Sequence, residues 1–213
     1  MLGRVQSVPG VVEMLWQRMV NGGDLAIIME RLKGPDLFDY INELKSAMSE
    51  GEAHKLFKQV LQTVIGCHNC GVVHRDIKDE NIMFDAEGKV KLIDFGCATF
   101  INVNDDHGRL RKFAGTRALA PPEWLTLGEY HAEPITVWQL GSLLFNMLCG
   151  DIPFQTDSQI ISGSIIWSRG VSDACRSLVG ECLKKAPAER PSLMQIAEHA
   201  WVRQTVLSNA QNN

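Results

Sequence analysis

Apolar side chains recur at helical spacing in two long stretches of the chain, and these stretches predict its most regular elements. The first follows Ser49-Glu50-Gly51-Glu52, a capping-box sequence in which Ser49 is the N-cap and Glu52 reaches back to it. Its apolar positions are Leu56, Phe57, Val60, Leu61, Val64 and Ile65. The second stretch contains Trp138, Leu140, Leu143, Leu144, Met147 and Leu148. Shorter helices are predicted over 35–42, from Ser172, and from Ser192, where Ser192-Leu193-Met194-Gln195 is a second capping box.

Strand-like apolar runs are short. Ile82–Phe84 and Val90–Ile93 are joined by Asp85-Ala86-Glu87-Gly88, which is a turn sequence, so they predict a hairpin. Leu25–Met29 predicts a further strand. Residues 97–122 form a long irregular segment, and such a segment inside a compact domain is usually functional.

The stretch before Leu25 is less regular. Glu13–Met19 is amphipathic, and we interpret it as a helix remnant. Asn21-Gly22-Gly23 lacks the strand–loop–strand setting of a phosphate-binding turn, and we interpret it as a bridge from that helix to the strand that follows.

Composition restricts the class of protein. A chain of 213 residues with 45% hydrophobic and 22% charged residues is long enough for one domain with a real core. The net charge of −4 argues against nonspecific binding of nucleic acid. No apolar run is long enough to span a bilayer, and no signal-peptide core is present. We therefore expect a monomer without nucleic-acid or membrane partners, located in the cytoplasm or the nucleus.

The cysteines indicate a metal-binding role only weakly. Cys67 and Cys70 stand near His68 and His74, but no second ligand pair follows at zinc-finger spacing. The favoured interpretation is the end of a helix that leads into a loop.

A group of polar residues in the middle of the chain carries the chemistry. His74-Arg75-Asp76-Ile77-Lys78-Asp79-Glu80-Asn81 precedes the predicted hairpin, and Asp94-Phe95-Gly96 follows it. Phosphoryl transfer requires a carboxylate to orient the attacking hydroxyl, a lysine facing the phosphoryl group, and Asn and Asp ligands for Mg²⁺. The order H-R-D-x-K-x-x-N followed by D-F-G is a specific signal for this chemistry.

On these motifs the chain resembles a eukaryotic protein kinase from the hinge onward. The segments "CHNCGVVHRDIKDENI", "KLIDFG", "GTRALAPPEW" and "CGDIPF" resemble the PIM family of Ser/Thr kinases over about residues 30–204. Thr136-Val137-Trp138 also resembles that family: most kinases carry Asp at the position of Thr136, and PIM kinases also lack it. The resemblance implies an α+β protein kinase-like fold with a mostly helical C-lobe, a β-hairpin at the catalytic cleft and only a remnant of the β-rich N-lobe.

The resemblance implies roles for individual residues. Asp76 would be the catalytic base and Lys78 the phosphate-facing lysine, while Asn81 and Asp94 would hold Mg²⁺. Arg75 would need a compensating anion.

ATP would lie beside the hinge. Met29 would be the gatekeeper, Glu30 to Leu32 the hinge, and Asp36 would contact the ribose. Phe95 and Gly96 complete the motif that begins at Asp94.

In the second half, Thr116 belongs to a segment that resembles the substrate loop. Glu123 and Arg190 would form a buried ion pair.

Acidic residues near the proposed catalytic residues predict how the protein is activated and which substrates it prefers. Thr99 is the only hydroxyl residue between Asp94 and Gly115, so we predict that Asp105 and Asp106 supply standing negative charge and that activity does not await loop phosphorylation. Simple solvation of these two aspartates is the alternative. Asp79 and Glu80 would attract protein substrates with basic residues near the phosphorylated Ser or Thr.

No Gly-rich phosphate loop or strand lysine precedes Met29 in this sequence. One alignment of 13–23 places Glu13 at the position of the helix glutamate but Gln17 at a hydrophobic position. The other restores Leu15 there but places Val11 at the glutamate position.

We therefore expect a remnant N-lobe over 1–31, with a helix-like segment and the hinge strand, a kinase C-lobe over 32–204, and a disordered tail over 205–213. Two functions stay open: a Ser/Thr kinase whose sequence here is shortened, and a catalytically impaired pseudokinase that serves as a binding module.

Overall fold

Helices and short strands alternate along the chain in the computed structural model, which describes residues 1–20, 22–44, 48–101 and 108–204. The helices are α1 (Leu37–Glu43), α2 (Glu50–Asn69), α3 (Pro122–Leu127), α4 (Ala132–Cys149), α5 (Asp157–Ser162), α6 (Asp173–Cys182), α7 (Leu193–Glu198) and α8 (Ala200–Arg203). The strands are β1 (Met14–Met19), β2 (Leu25–Met29), β3 (Val72–Val73), β4 (Ile82–Phe84), β5 (Val90–Leu92), β6 (Thr99–Phe100), β7 (Arg109–Leu110) and β8 (Tyr130–His131).

The main core lies where α2 and α4 pack together with α6 and α8. Helix α4 is buried on almost every side, as expected of a helix whose apolar residues are not confined to one stripe. Gly141 allows close packing here, because a Cβ at this position would lie 2.6 Å from Cβ of Cys182 on α6. Trp138, Leu144 and Trp201 are among the largest fully buried side chains. The long helices that the periodicity predicts are thus confirmed.

Helix starts follow the predicted caps, with one difference. Ser192 and Gln195 form the complete capping box at α7, and Ser172 caps α6. At α2 only half of the predicted box exists: Ser49 accepts a hydrogen bond from the Glu52 amide, at 3.2 Å. The Glu52 carboxylate instead accepts a hydrogen bond from the Tyr40 hydroxyl, because α1 packs beside this end of α2.

The segment before β2 corrects the predicted helix. Residues Met14–Met19 form a strand that pairs antiparallel with Leu25–Met29, so the amphipathic stretch is one arm of a hairpin. Gly22 and Gly23 lie in its turn with φ angles of +92° and +88°, a conformation that glycine adopts without strain. Asn21 lies outside the described residues. The interpretation of these glycines as a bridge from a helix is therefore wrong.

The N-terminal hairpin, as we call 14–29, exposes both of its faces. Its exposed apolar side chains are Leu15, Trp16, Met19, Val20, Leu25, Ile27, Ile28 and Met29. The chain before it is better packed. Leu2, Val5, Val8, Val11 and Val12 form a second small core with Cys67 at the end of α2 and Val72 in β3.

The predicted central hairpin is present as β4 and β5, which pair antiparallel from Ile82–Leu92 to Phe84–Val90. The irregular segment 97–122 contains short strands. Strand β6 pairs with β3, which precedes the motif beginning at His74, and β7 pairs with β8, which precedes α4. Asp105 and Asp106, and the tail over 205–213, lie outside the described residues.

The predicted α+β class is confirmed. Within the described part of the chain, no helix is both long and apolar enough to cross a membrane.

Candidate active site

The loop from His74 to Asn81, here called the catalytic loop, leaves β3 and ends at the start of β4. His74 fixes its beginning: its Nε2 lies 2.8 Å from the Ile93 carbonyl oxygen, and its Nδ1 accepts a hydrogen bond from the Asp76 amide at 3.3 Å. These contacts require the neutral tautomer that carries its proton on Nε2. Burial lowers the pKa of His74, which favours that neutral form. The Phe95 ring meets the imidazole edge-on, with 4.8 Å between centroids.

The Asp76 carboxylate is held from two sides. Its Oδ1 accepts a hydrogen bond from the Thr116 amide at 2.8 Å, and its Oδ2 accepts one from Nδ2 of Asn81 at 3.0 Å. Only 7% of the residue is exposed. A buried carboxylate that two donors hold keeps a fixed orientation, which is what a general base needs.

Two non-glycine residues among those described have a positive φ, and both lie at this site. Arg75 has φ of 70° and Asp94 has φ of 55°. Such backbone conformations cost energy and cluster at functional sites. Gly115 explains how the distant Thr116 reaches Asp76: a Cβ at Gly115 would lie 2.3 Å from the Arg75 carbonyl oxygen, so only glycine allows this approach.

Asn81 and Asp94 lie at the same end of the β4–β5 hairpin, because the Ile93 amide donates to the Asn81 carbonyl oxygen at 3.0 Å. Nδ2 of Asn81 donates to the backbone and carboxylate oxygens of Asp76, so the amide orientation is fixed. Asp94 is exposed, and one of its carboxylate oxygens accepts a hydrogen bond from the Gly96 amide at 3.1 Å. An amide oxygen and a carboxylate are hard ligands of the type that Mg²⁺ prefers, and these residues therefore fit a magnesium site.

Lys78 stands beside the base. Its Nζ lies 3.9 Å from Oδ2 of Asp76 and forms an ion pair with Glu80. Burial opposes the charged form of this lysine, but Glu80 and Asp76 outweigh that effect and raise its pKa. Lys78 is therefore a cation at neutral pH.

The two acidic residues after Lys78 differ in exposure. Asp79 is buried, and its Oδ2 accepts a hydrogen bond from Nδ2 of Asn146 at 2.7 Å. Burial is the main cause that raises the pKa of Asp79. Glu80 keeps a side chain that is 53% exposed. A cavity of about 100 Å³ opens between this part of the loop and α4, and it is lined by Ile77, Lys78, Thr116, Leu119, Asn146 and Ile152.

Arg75 makes contact with neutral groups of the irregular segment. Its Nε donates to the Cys97 carbonyl oxygen at 2.6 Å, and its Nη1 lies 3.4 Å from the Lys112 carbonyl oxygen and 3.5 Å from the Tyr130 hydroxyl. The Tyr130 hydroxyl in turn donates to the Lys112 carbonyl at 3.0 Å. These contacts tie Cys97 and Lys112 of the irregular segment, together with Tyr130 of β8, to the catalytic loop.

The predicted hinge joins the N-terminal hairpin to the helical region. The Glu30 amide donates to the Glu13 carbonyl oxygen at 2.9 Å, and a Glu30 carboxylate oxygen accepts from the Glu13 amide and from Nζ of Lys91, each at 2.8 Å. Burial alone would raise the pKa of Glu30, but the bonds from Lys91 and Glu13 lower it. Leu32 is half-buried, and Asp36 caps α1 by accepting from the Asp39 amide at 2.7 Å.

Glu13 is a strand-flanking residue and not part of a helix. Its predicted pairing as a helix glutamate is wrong, and so is the alternative alignment through Val11, because both place 13–19 in a helix. The sequence stretch is too short for its periodicity to separate the two structures.

The predicted ion pair between Glu123 and Arg190 is present and buried. Nη1 and Nη2 of Arg190 donate to the two carboxylate oxygens of Glu123 at 2.8 and 2.7 Å, and the side chains are only 1% and 4% exposed. Arg190 also donates to the Lys184 and Pro134 carbonyl oxygens. The pair joins α3 to the connection between α6 and α7.

Gln139 is a site contact that the sequence pattern does not single out. It is fully buried in α4, and its side-chain amide bonds to the catalytic loop. The available signal is a large polar residue between Trp138 and Leu140, in the most apolar part of a helix.

The cysteine alternative finds no support. Burial raises the pKa of the Cys67 thiol to about 12, so it is not a thiolate at neutral pH. No group of three His, Cys, Asp or Glu residues within the described ranges is arranged to hold a metal ion.

Comparison with known proteins agrees with the resemblance to protein kinases. Residues 1–202 match the family model described as the protein kinase domain. The chain is 41% identical over 209 residues to the serine/threonine-protein kinase pim-2 of Danio rerio, covering 97% of this chain and 66% of that protein. It is 38% identical to the serine/threonine-protein kinase prk-2 of Caenorhabditis elegans, covering 98% of this chain and 47% of that protein. It is 34% identical to the testis-specific serine/threonine-protein kinase 5 of Mus musculus, covering 88% and 53%. The chain thus spans about half to two thirds of these relatives.

Proposed function

The chain belongs to the protein kinase family, and from this membership we propose that it transfers the γ-phosphoryl group of ATP to Ser or Thr hydroxyls of protein substrates. The observation that carries the proposal is the fixed Asp76 carboxylate, which Thr116 and Asn81 hold from either side. In this role Asp76 accepts the proton of the substrate hydroxyl as the hydroxyl attacks.

Other residues supply charge around the transferred group. Lys78 is cationic and lies next to Asp76, so it would face the phosphoryl oxygens. Asn81 and Asp94 would hold Mg²⁺, which supplies positive charge to the phosphates when it is bound. The nucleotide would enter along Glu30 to Leu32, with Asp36 near the ribose.

The test uses substitution of the base. Asp76→Asn keeps the shape of the side chain but cannot accept the proton, so we expect turnover of a Ser/Thr peptide to fall by about 10²- to 10⁴-fold. Asp173→Asn, at the exposed start of α6, is the matched control and should retain wild-type turnover. Equal turnover in Asp76→Asn and the wild type would remove Asp76 from this role.

We propose further that turnover does not require phosphorylation of the irregular segment. The support is that Arg75 already donates to the Cys97 and Lys112 carbonyl oxygens and contacts the Tyr130 hydroxyl. Thr99→Ala removes the only hydroxyl between Asp94 and Gly115, and we expect unchanged turnover before and after phosphatase treatment. A separate Asp105→Asn, Asp106→Asn protein tests whether those carboxylates contribute, and unchanged turnover would discard them as the source of standing charge.

A preference for basic substrates is the third part of the proposal, and Glu80 supports it best. Glu80 is an exposed residue of the catalytic loop, whereas Asp79 is buried and accepts a hydrogen bond from Asn146. In Glu80→Gln we expect KM to rise for peptides with Arg or Lys near the acceptor and to stay constant for neutral peptides. Glu87→Gln, in the exposed β4–β5 turn, is the control. A wild-type chain without any preference among these peptides would contradict the proposal.

A binding module without turnover is the second candidate, and the exposed N-terminal hairpin favours it, because this hairpin borders the predicted nucleotide site. Thermal stabilisation by Mg-ATP separates the candidates. Nucleotide at about 100 times its Kd stabilises a protein by ~2.7 kcal/mol. A shift in Tm favours the kinase, and no shift at millimolar Mg-ATP favours the binding module.

A further inference from the structure

Helix α4 carries a fully buried amide that contacts the catalytic loop on both sides of Asp76. Nε2 of Gln139 donates to the Arg75 carbonyl oxygen at 2.7 Å, and Oε1 of Gln139 accepts from the Ile77 amide at 3.3 Å. The Gln139 side chain has no exposed surface. A glutamine has both a donor and an acceptor, so one side chain satisfies both a carbonyl and an amide of the catalytic loop.

Neighbouring polar residues of α4 show that this contact is specific. Thr136, almost one turn earlier and also buried, turns its hydroxyl back to the Ala132 carbonyl of its own helix, at 2.8 Å. Asn146, seven residues after Gln139 and therefore on the same helix face, donates to Asp79 at 2.7 Å. The two amides of α4 thus hold the catalytic loop at its beginning and near its end.

Resting on the kinase function proposed above, we propose that Gln139 is a positioning residue that fixes the peptide groups on either side of Asp76. Arg75 has a positive φ, which the surrounding contacts must maintain. With the Arg75 carbonyl and the Ile77 amide both held by α4, the Asp76 carboxylate stays aligned with the Thr116 amide and Asn81. Gln139 does not contact the reacting atoms in this role; it acts through the Asp76 backbone.

The test compares two substitutions in the same helix in the full chain. Gln139→Met keeps the length of the side chain and removes both hydrogen bonds to the loop. Thr136→Val removes one buried hydrogen bond within α4 and leaves the loop contacts in place. In Gln139→Met we expect the Ile77 amide to exchange with solvent about tenfold faster, as loss of one hydrogen bond predicts, while Thr136→Val leaves that rate unchanged.

Kinetics separate positioning from a merely structural effect. We expect kcat of Gln139→Met to fall by about 10- to 100-fold, the scale expected for a misplaced catalytic group, with KM for ATP and peptide within about twofold. Gln139→Asn retains the amide but is one methylene shorter, so it cannot span both contacts. In Gln139→Asn we expect a smaller increase in the exchange rate of the Ile77 amide and a smaller loss of kcat. This variant replaces Gln139→Met in the test if the Met protein does not fold.

The outcomes decide the inference separately from the proposed function. Unchanged exchange of the Ile77 amide, or a loss of kcat no larger than that of Thr136→Val, would overturn the role of Gln139. If the wild-type chain shows no turnover, the proposed kinase activity fails, and the exchange rate of the Ile77 amide alone decides whether Gln139 anchors the loop.

Discussion

The catalytic loop and the N-terminal hairpin lie on the two sides of the proposed site, and they differ in what surrounds them. The loop is tied to α4, to the segment around Thr116 and to the β4–β5 hairpin. The N-terminal hairpin has its own strand pairing and the Glu30 contacts, but most of its apolar side chains face solvent. The groups that would activate the substrate hydroxyl are therefore fixed in advance, whereas the side that would receive adenine is bordered by an open sheet.

This difference implies that the catalytic loop and the N-terminal hairpin contribute unequally to the free energy of unfolding. Burial and buried hydrogen bonds fix the loop. A large-to-small substitution in the core beneath it should cost about 2–5 kcal/mol, and a buried polar group left without its partner about 1–3 kcal/mol. Substitutions in the N-terminal hairpin should cost little stability, because little burial is lost there.

The largest expected effect concerns the buried ion pair between Glu123 and Arg190, which lies in the helical region that carries the catalytic loop. Arg190→Ala leaves the Glu123 carboxylate buried without its partner, and we expect a loss of about 3–5 kcal/mol in the free energy of unfolding. Arg203→Ala removes an exposed pair with Glu198 and should cost about 0–1 kcal/mol. Denaturant unfolding of both proteins measures the contrast. Equal losses would mean that burial does not distinguish the two pairs.

The second prediction compares the two regions directly. Leu144→Ala in α4 should cost about 2–5 kcal/mol, because a fully buried side chain leaves a cavity. Leu15→Ala in the N-terminal hairpin, where the side chain is 58% exposed, should change the free energy of unfolding by less than about 0.5 kcal/mol. A large loss in Leu15→Ala would break the comparison, since it would require this hairpin to be covered in solution.

The third prediction is that the free energy of unfolding depends on pH through His74 of the catalytic loop. Burial lowers the pKa of His74 in the folded protein, so the unfolded chain binds the proton more tightly. The contribution of His74 to stability is complete above its ordinary pKa of about 6.5 and is lost as the pH falls below that value, by at most ~1.4 kcal/mol per pH unit. The measurement is denaturant unfolding between pH 7.5 and pH 5, at values chosen around that ordinary pKa. His74→Gln should have a smaller slope; an identical slope in both proteins would assign the pH effect to other groups.

The smallest effect tests the start of α2, which leads towards the catalytic loop. Ser49→Ala removes the acceptor for the Glu52 amide and should cost about 1 kcal/mol. Ser168→Ala, at an exposed position, is the control and should be neutral within about 0.5 kcal/mol. A Ser49→Ala protein that is as stable as Ser168→Ala would contradict the role of Ser49 as the cap of α2.

The sequence predicts the parts of this fold whose signals are long or chemically specific. The periodicity of α2 and α4 extends over several turns, and the β4–β5 turn has a composition that favours a hairpin. The order of residues in the catalytic loop restricts the chemistry, and Glu123 and Arg190 meet as the family resemblance implies. The roles of the individual site residues stay predictions until the substitutions above are measured.

Other features depend on contacts that the sequence does not show. Seven residues over 13–19 fit both a helix and a strand, and the signal that favours a strand is the Asn-Gly pair between two apolar runs. Half of the capping box at Ser49 is absent because Tyr40, from another helix, competes for Glu52. Gln139 reaches the catalytic loop across 64 residues of sequence, and only the packing of α4 brings them together.

Trp16 on the N-terminal hairpin gives this open region an optical signal of its own. Of the five tryptophans, Trp138 and Trp201 are buried, Trp124 and Trp167 are half-buried, and Trp16 is 43% exposed. A water-soluble quencher of indole fluorescence should therefore act first on Trp16. Emission that is lost at low quencher concentration then reports the N-terminal hairpin, and shielding of that fraction on addition of nucleotide or protein would show when this face becomes covered.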